Sequence, residues 1–296
     1  MGKQVTELDA LPSFTDTSLL PVHNGAGLKK GQLSQLASYL GTKFSNPNLL
    51  INPDFKINQR GQSTYSSTET ICTVDRWIGQ NTKTVVNSDG TVTVASLSNR
   101  GHYTQNEENI SYGKHTYSIY VQEITGTVKF FYKNKDSKDY QLGILKQGLN
   151  TFVSSDDGFK ALFFQIGSGS SVTLKYAKVE QGTVATAFIA PNNSDELDKC
   201  LRYFESGSLD TAPGLAIQQT VYIRTYIHPK RINPTPKFSG NLSFEMHGTG
   251  KNLTLTYLGT DLNTECCTFR FKPSEAMQYG LGFCKNFAYE IDAEIY

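Results

Sequence analysis

Long apolar runs and an excess of charge of one sign are both missing from this sequence of 296 residues. No apolar stretch approaches the roughly 20 residues of a membrane-spanning helix, and no signal peptide is expected at the N-terminus. The 28 lysines and arginines nearly balance the 27 aspartates and glutamates. Because following a phosphate backbone requires a clear basic excess, the sequence predicts neither membrane insertion nor nucleic-acid binding.

Metal-binding spacing is also missing. The five cysteines include no Cys-x-x-Cys pair, and the five histidines are scattered without a His-x-His or His-Glu-x-x-His motif. The adjacent residues Cys266 and Cys267 would point to opposite faces of a strand, which suits neither a simple disulfide nor a zinc site. We therefore expect reduced, mostly buried thiols and no cofactor.

Catalytic motifs are scarce as well. Residues 167–170 lack the Gly-x-Ser-x-Gly spacing of a serine nucleophile. Glycoside hydrolysis needs two carboxylates that face one sugar. The pairs Glu107-Glu108 and Asp156-Asp157 are neighbours near turns, so we interpret them as solvated loop charges. The sequence predicts a protein that is not an enzyme, although a carboxylate pair from distant segments stays open.

Glycine and aromatic residues are abundant, with 25 glycines, 16 tyrosines and 17 phenylalanines against 3 methionines. This composition favours short strands and turns. Between about residues 45 and 190, strand patterns alternate with turns, and Val172, Leu174 and Tyr176 are predicted to share one face of a strand. Spacing of this kind predicts an antiparallel sandwich or jelly roll.

A second β region is predicted for residues 207–296. Its last ten residues alternate apolar positions such as Phe287, Tyr289 and Ile291 with acidic ones. The predicted fold class is therefore all-β, with two antiparallel sandwich or jelly-roll-like domains, 45–190 and 207–296.

Two short helices complete the prediction. A helical linker, 191–206, joins the two domains, and Asn193 with Glu196 forms a candidate capping box at its start. In the N-terminal segment 1–44, Leu33, Leu36 and Leu40 form one apolar stripe. A helix of about ten residues is marginal alone in water, so this stripe must pack against its own chain or against copies of itself.

Several motifs resemble those of bacteriophage and prophage fibre proteins that carry a β-sandwich similar to carbohydrate-binding modules. The stretch 48–77 contains NLLINPDF, QRG and DRW, the stretch 174–204 contains LKYAKVEQGTVATAF and CLRYF, and the chain ends in YEIDAEIY. The segment 5–44 is similar to the N-terminal part of such fibres. At 229–235, Lys230 replaces the methionine usual in the family.

The resemblance implies a structural fibre protein of a phage virion, in particular a tail fibre or receptor-binding adhesin that contacts glycans on the bacterial surface. It implies a homotrimer whose N-terminal segment attaches to other virion proteins, with Leu33, Leu36 and Leu40 at the subunit contact. A head fibre mounted on the capsid, or a collar or baseplate decoration, is the alternative. A polysaccharide depolymerase is the least favoured, because a carboxylate signature is missing.

A sugar site needs an aromatic face for the apolar side of the ring and a few polar partners. The candidate ligand-binding residues are Tyr65, His102, Tyr103 and Tyr112, which we place in loops. The single tryptophan, Trp77, is predicted to pack in the sandwich core, since tryptophan on a sandwich strand is usually buried.

Overall fold

A computed structural model describes residues 18–23, 28–41, 44–155, 157–239, 242–247, 252–276 and 279–296. Antiparallel strands dominate this part of the chain, and two short helices accompany them. The predicted all-β class is confirmed. Neither of the described helices is long and apolar enough to cross a membrane.

A hairpin and a helix form the described part of the N-terminal segment. Strand β1 (Leu19–His23) pairs with β2 (Leu28–Gln32), and helix α1 (Leu33–Gly41) follows directly. The side chains of Leu36 and Leu40 are 42% and 41% exposed. The predicted stripe is therefore helical, but the described chain leaves it largely open. Residues 1–17 of the predicted attachment segment lie outside the described residues.

Two six-stranded antiparallel sheets form a sandwich in the central region. The strands are β3 (Thr64–Ser67), β4 (Ile71–Cys72), β5 (Ile78–Gln80), β6 (Thr82–Val86), β7 (Val92–Ser96), β8 (Arg100–Ser111), β9 (His115–Thr125), β10 (Val128–Lys133), β11 (Asp139–Ile144), β12 (Gly148–Val153), β13 (Phe159–Gly167) and β14 (Ser171–Gln181). The front sheet has the order β11-β10-β13-β8-β5-β4, and the back sheet has the order β12-β9-β14-β7-β6-β3. Apolar side chains from the inner faces of both sheets form one core.

Strand β14 departs from the predicted alternation. Val172 and Leu174 lie in the core as predicted, but Tyr176 faces outward and stacks on Phe188 with ring centroids 4.0 Å apart. The pairing of β14 with β9 shifts register on both sides of Leu174. The extra residue of a bulge changes which side chains face inward, so the prediction for Tyr176 was wrong.

Trp77 lies in the sandwich core, and this prediction is confirmed. Its side chain is fully buried and stacks on Tyr103 with ring centroids 5.2 Å apart. The indole N–H donates to the carbonyl of Asn52 at 2.8 Å. Asn52 is itself buried with a φ of 53°, and its side-chain amide donates to the carbonyls of Ile57 and Asp75. The stretch that opens the sandwich is thus held by a network of hydrogen bonds around one asparagine.

The C-terminal region forms a single seven-stranded antiparallel sheet. Its strands are β15 (Phe204–Ile217), β16 (Thr220–Tyr226), β17 (Thr235–Ser239), β18 (Ser243–Met246), β19 (Asn252–Leu262), β20 (Cys266–Pro273) and β21 (Gly280–Asp292). Because β15 pairs with both β16 and β21, the sheet closes on itself around a second core. The predicted second sandwich therefore takes the form of a closed sheet whose opposite walls pack together.

Helix α2 (Asn193–Leu201) lies between these two β regions. Its N-cap is Asn192, whose side chain accepts a hydrogen bond from the amide of Ser194. The predicted capping box of Asn193 and Glu196 was therefore wrong, because the N-cap is one residue earlier. Glu196 does not turn back to the cap, because its buried carboxylate accepts instead from the amide of Asn52 at 2.7 Å.

All five cysteines are buried and free. Burial raises the pKa of the Cys267 thiol to about 12 and that of Cys284 to about 11. These thiols are protonated near neutral pH. The prediction of reduced, buried cysteines is confirmed.

Candidate functional site

The outer face of the front sheet forms a groove of about 580 Å³. We use "the groove" for the cavity bounded by outward side chains of β5, β8, β10 and β13, with Ile295 and Tyr296 at one edge. Asn106 donates from its side-chain amide to the carbonyl of Ile295 at 3.2 Å. The C-terminal residues therefore contribute a wall to a site that the central sandwich builds.

Strand alternation supplies the residues of the groove. On β8, Tyr103 and Gln105 are buried, whereas His102 and Thr104 point outward into the cavity. On β13, Phe164 belongs to the sandwich core, and its neighbours on the strand face the groove. The same period of two that fills the core thus lines the groove.

Cross-strand pairing arranges these outward side chains in rows. The middle row runs from β10 to β5 through Phe131, Phe163, Thr104 and Ile78, each the direct partner of the next. On one side lies a polar row from β13 to β5. The polar row consists of Gln165, His102 and Gln80. The other flank contains Lys133, Asp139 and Asn106. An apolar strip therefore lies between two sets of hydrogen-bonding groups.

Three rings are packed tightly at the centre of the groove. Phe131 and Phe163 stack with centroids 4.7 Å apart and an interplanar angle of 6°. The ring of His102 meets Phe163 edge-on at 5.6 Å. Phe163 is only 7% exposed, whereas Phe131 is partly exposed. Phe131 therefore presents the apolar face, and Phe163 holds it in place.

The polar row offers hydrogen-bonding groups that can serve a ligand. Nε2 of His102 lies 3.5 Å from Nε2 of Gln165. Burial lowers the pKa of the His102 imidazole, and Arg100 lowers it further, so the ring is neutral near pH 7 and has one donor and one acceptor nitrogen. Within the described ranges, the exposed amide of Gln80 forms no side-chain hydrogen bond.

Most of the charged side chains that line the groove are basic. Lys133 pairs with Asp139 at 3.1 Å, and Lys160 donates to the hydroxyl of Ser137 at 2.9 Å. Arg100 is exposed at the opposite end of the strands. Among the described residues, neither Lys160 nor Arg100 has an acidic partner within 4 Å.

Glu107 contributes a carboxyl group to the wall of the groove. Burial raises the pKa of Glu107 to about 7, while the charge of Arg76 lowers it, and Oε1 has no hydrogen-bond partner in the described chain. Its neighbour Glu108 is exposed and pairs with Arg202 at 2.8 Å. The interpretation of this pair as solvated loop charges was wrong for Glu107, because it lies on β8 in the wall of the groove, where the pairing of β8 with β13 is irregular. Asp156 lies outside the described residues.

A buried ion pair fixes the C-terminal wall. Nη1 of Arg76 lies 2.8 Å from Oε2 of Glu294, and both side chains are fully buried. The guanidinium also lies over the ring of Tyr203, 3.7 Å from its centroid. Arg76 has a φ of 71°, and its backbone amide donates to the same glutamate. The motif Asp-Arg-Trp thus anchors the C-terminal segment as well as the core.

A second arginine reinforces this junction. The guanidinium of Arg60 lies 3.6 Å from the ring centroid of Phe204 and 3.7 Å from both Asp75 and Asp292. Burial raises the pKa of Asp75 to about 6, although the amide of Gln59 and the charge of Arg60 lower it. We call the contact between Arg60, Arg76 and the C-terminal acidic residues the junction.

The four predicted ligand-binding residues lie in different places. His102 lies in the groove. Tyr103 is fully buried under Trp77, and Tyr65 is 4% exposed with its hydroxyl bonded to Asn58. Tyr112 is 66% exposed in the turn after β8 and does not line the groove. The predicted loop placement was wrong for His102, Tyr103 and Tyr65, which lie on strands. Because Tyr65 and Tyr103 are buried, neither side chain can contact a ligand.

Sequence reasoning missed the aromatic centre of the groove. Phe131 and Phe163 come from strands separated by about thirty residues, and their contact depends on sheet order. A signal was present, because both strands carry phenylalanine at consecutive positions, which puts one ring in the core and the next on the outer face. An aromatic on the outer face of a strand is the pattern that could have identified this site.

The similarity of this chain to known proteins is weak. No protein-family model matches the chain, and no curated protein matches it. A solved structure of an arginine-to-alanine mutant of a family 29 carbohydrate-binding module is similar at a TM-score of 0.31 and 15% identity. The match covers 44% of this chain and 100% of that chain.

Proposed function

We propose that the groove is a glycan-binding site and that the protein is a virion fibre protein, a tail fibre or adhesin that contacts the bacterial surface. The single observation that carries the binding proposal is the apolar strip of Phe131 and Phe163 between two polar rows. A pyranose ring has one apolar face and a rim of hydroxyl groups. Such a ring requires an aromatic surface flanked by donors and acceptors.

The polar side chains of the groove are held in place and can bind the hydroxyl groups of a sugar. Its floor is a sheet held by strand pairing, so its side chains are positioned before the ligand arrives. The neutral imidazole of His102 and the amide of Gln80 supply both donors and acceptors for hydroxyl groups. Binding without catalysis is the function that this arrangement supports best.

The fibre assignment rests on the motifs in the stretches 48–77 and 174–204 and at the C-terminus. A head fibre, or a collar or baseplate decoration, would share those motifs. Immunogold electron microscopy of intact particles distinguishes these positions on the virion. Labelling at the tail tip supports an adhesin, and labelling on the capsid supports a head fibre. Particles without any label would refute a virion protein.

The N-terminal segment 1–44 is proposed to form a homotrimer and to attach to other virion proteins. Leu36 and Leu40 on α1 are largely exposed in the single chain, so copies of the helix can bury them against each other. Light scattering of the full chain should return a trimer, and Leu36→Glu with Leu40→Glu should return a monomer. A monomer for the unmodified chain would refute the trimer.

Binding is tested by glycan-array screening and titration calorimetry on the full chain. Phe131→Ala should weaken binding about tenfold, because it removes the partly exposed ring of the strip. Tyr120→Ala is the matched control, because Tyr120 is a partly exposed aromatic on the back sheet. Equal affinity of Phe131→Ala and unmodified protein for every bound glycan would refute the groove as the site.

The same preparations test for depolymerase activity. Bound polysaccharide should release no reducing ends during incubation. Glu107 is the acid in the groove with a raised pKa, so Glu107→Gln is the variant that would abolish any release. Release that depends on Glu107 would replace the adhesin proposal with an enzymatic one.

A further inference from the structure

The groove has a charge pattern that a site for neutral sugars does not need. Lys133 is neutralised by Asp139, at 3.1 Å, but Arg100 and Lys160 have no acidic partner within 4 Å in the described chain. Both side chains line the groove. Two positive charges therefore remain available to a ligand.

These two cations lie on opposite sides of the apolar strip, one beyond each set of flanking polar side chains. On β8, Arg100 is four residues before Thr104 of the middle row. Lys160 lies beyond Ala161, the partner of Asn106, at the other end. From Arg100 to Asn106 the strand spans six residues, roughly 20 Å at the usual rise. A chain of sugars that crosses the apolar strip along the strand direction would pass one cation on each side of the strip.

The titration behaviour of nearby groups agrees with a positive groove. Burial lowers the pKa of His102 most, and the charge of Arg100 lowers it further, by more than Asp139 raises it; Lys133 has a smaller lowering effect. The carboxyl of Glu107 is largely protonated below about pH 7, so it does not cancel the basic side chains there.

We propose that the groove selects an anionic polysaccharide, a chain of sugars that carry carboxylates, over a neutral chain of the same backbone. The apolar strip binds the ring faces, and Arg100 and Lys160 bind the carboxylates. This inference rests on the proposed glycan-binding function, and it adds the charge of the ligand. Exposed ion pairs of this kind contribute about two- to fivefold each in affinity, so the two together give about tenfold.

The test compares oligogalacturonate with its methyl ester, which keeps the backbone and removes the charge. At pH 6 and low salt, the full chain should bind the acid about tenfold more tightly than the ester. Raising the salt to 0.5 M should reduce that ratio toward one, because exposed charges are screened. Polyglutamate, which has carboxylates but no sugar rings, should bind more weakly than the oligogalacturonate.

Two double variants assign the effect to the groove. Arg100→Gln with Lys160→Gln should bring the acid-to-ester ratio near one, because binding of the acid weakens about tenfold when both cations are removed. Lys146→Gln with Lys272→Gln changes the net charge equally at exposed positions outside the groove and should keep the ratio. Circular dichroism checks that all variants are folded.

Each outcome decides between the two proposals. Equal binding of acid and ester by the unmodified protein overturns charge selection and leaves glycan binding standing. If the acid-to-ester ratio stays near tenfold in the Arg100 and Lys160 double variant, these side chains do not bind the carboxylates. Polyglutamate binding as tight as oligogalacturonate binding would likewise overturn the proposal that the groove binds an anionic sugar chain. Binding of neither sugar, together with no hit on the glycan array, overturns the proposed function itself.

Discussion

Two arginine–glutamate pairs with the same separation but opposite burial allow a direct test of what holds the junction together. Arg76 and Glu294 are 2.8 Å apart with both side chains fully buried. Arg202 and Glu108 are also 2.8 Å apart, but their side chains are 47% and 27% exposed. The same substitution, glutamate to glutamine, can be made in each pair. Burial is then the main variable.

We expect Glu294→Gln to lower the free energy of unfolding by about 3–5 kcal/mol, because it leaves the buried guanidinium of Arg76 without its counter-charge. At 2.8 Å and an effective dielectric constant of about 20, the attraction alone is about 6 kcal/mol, and loss of solvation offsets part of it. Glu108→Gln should cost about 0–1 kcal/mol, because water screens the exposed pair.

Urea denaturation measures both values. The fluorescence of Trp77, the single tryptophan, reports unfolding of the sandwich, and a constant dependence on urea concentration confirms that the same transition is compared. If Glu294→Gln and Glu108→Gln lower the free energy of unfolding by amounts within 1 kcal/mol of each other, burial does not make the Arg76–Glu294 pair more stabilising. The C-terminal wall of the groove would then be held by packing against Tyr203 and Phe204 and by backbone pairing, with little contribution from charge.

Two further predictions concern pH and backbone. The pKa of Glu107 is about 7 when folded against an ordinary 4.5, so the folded state binds this proton more tightly and its stabilising contribution is lost as the pH rises through 7. The unmodified protein should lose about 1–3 kcal/mol between pH 5 and 8 relative to Glu107→Gln in urea titrations. Glu108→Gln should keep the slope of the unmodified protein, because hydrogen bonding to its arginine partner lowers the pKa of Glu108 and its titration lies below this range. If Glu107→Gln leaves the pH dependence of the free energy of unfolding unchanged, Glu107 is not the group that causes it. Asn52→Ala should cost about 3 kcal/mol, since it removes two buried donors as well as placing alanine at a φ of 53°. Asn81→Ala has the same φ of 53° without side-chain hydrogen bonds in the described chain, so it should cost only about 1 kcal/mol in thermal unfolding. If Asn52→Ala and Asn81→Ala lower the stability equally, the whole loss comes from the backbone conformation and none from the hydrogen bonds of Asn52.

The groove was only partly predictable. His102 was identified as a candidate from its residue type, but it was predicted to lie in a loop and instead lies on β8. The site itself needed the order of the strands, because β10, β13, β8 and β5 are neighbours in the sheet without being consecutive in the chain. Alternation within one strand states which side chains share a face, but it does not state which strands lie side by side.

The sequence by itself determined the all-β class and the apolar stripe on α1, because each depends on spacing within a few residues, and it indicated the burial of Trp77 through its residue type. Tertiary structure decided the outward turn of Tyr176, where a bulge shifts the register, and the closure of the C-terminal sheet. It also decided the pairing of Arg76 with Glu294 across 218 residues. Partners at that separation are selected by the packing of two complete cores, a property that no local pattern contains.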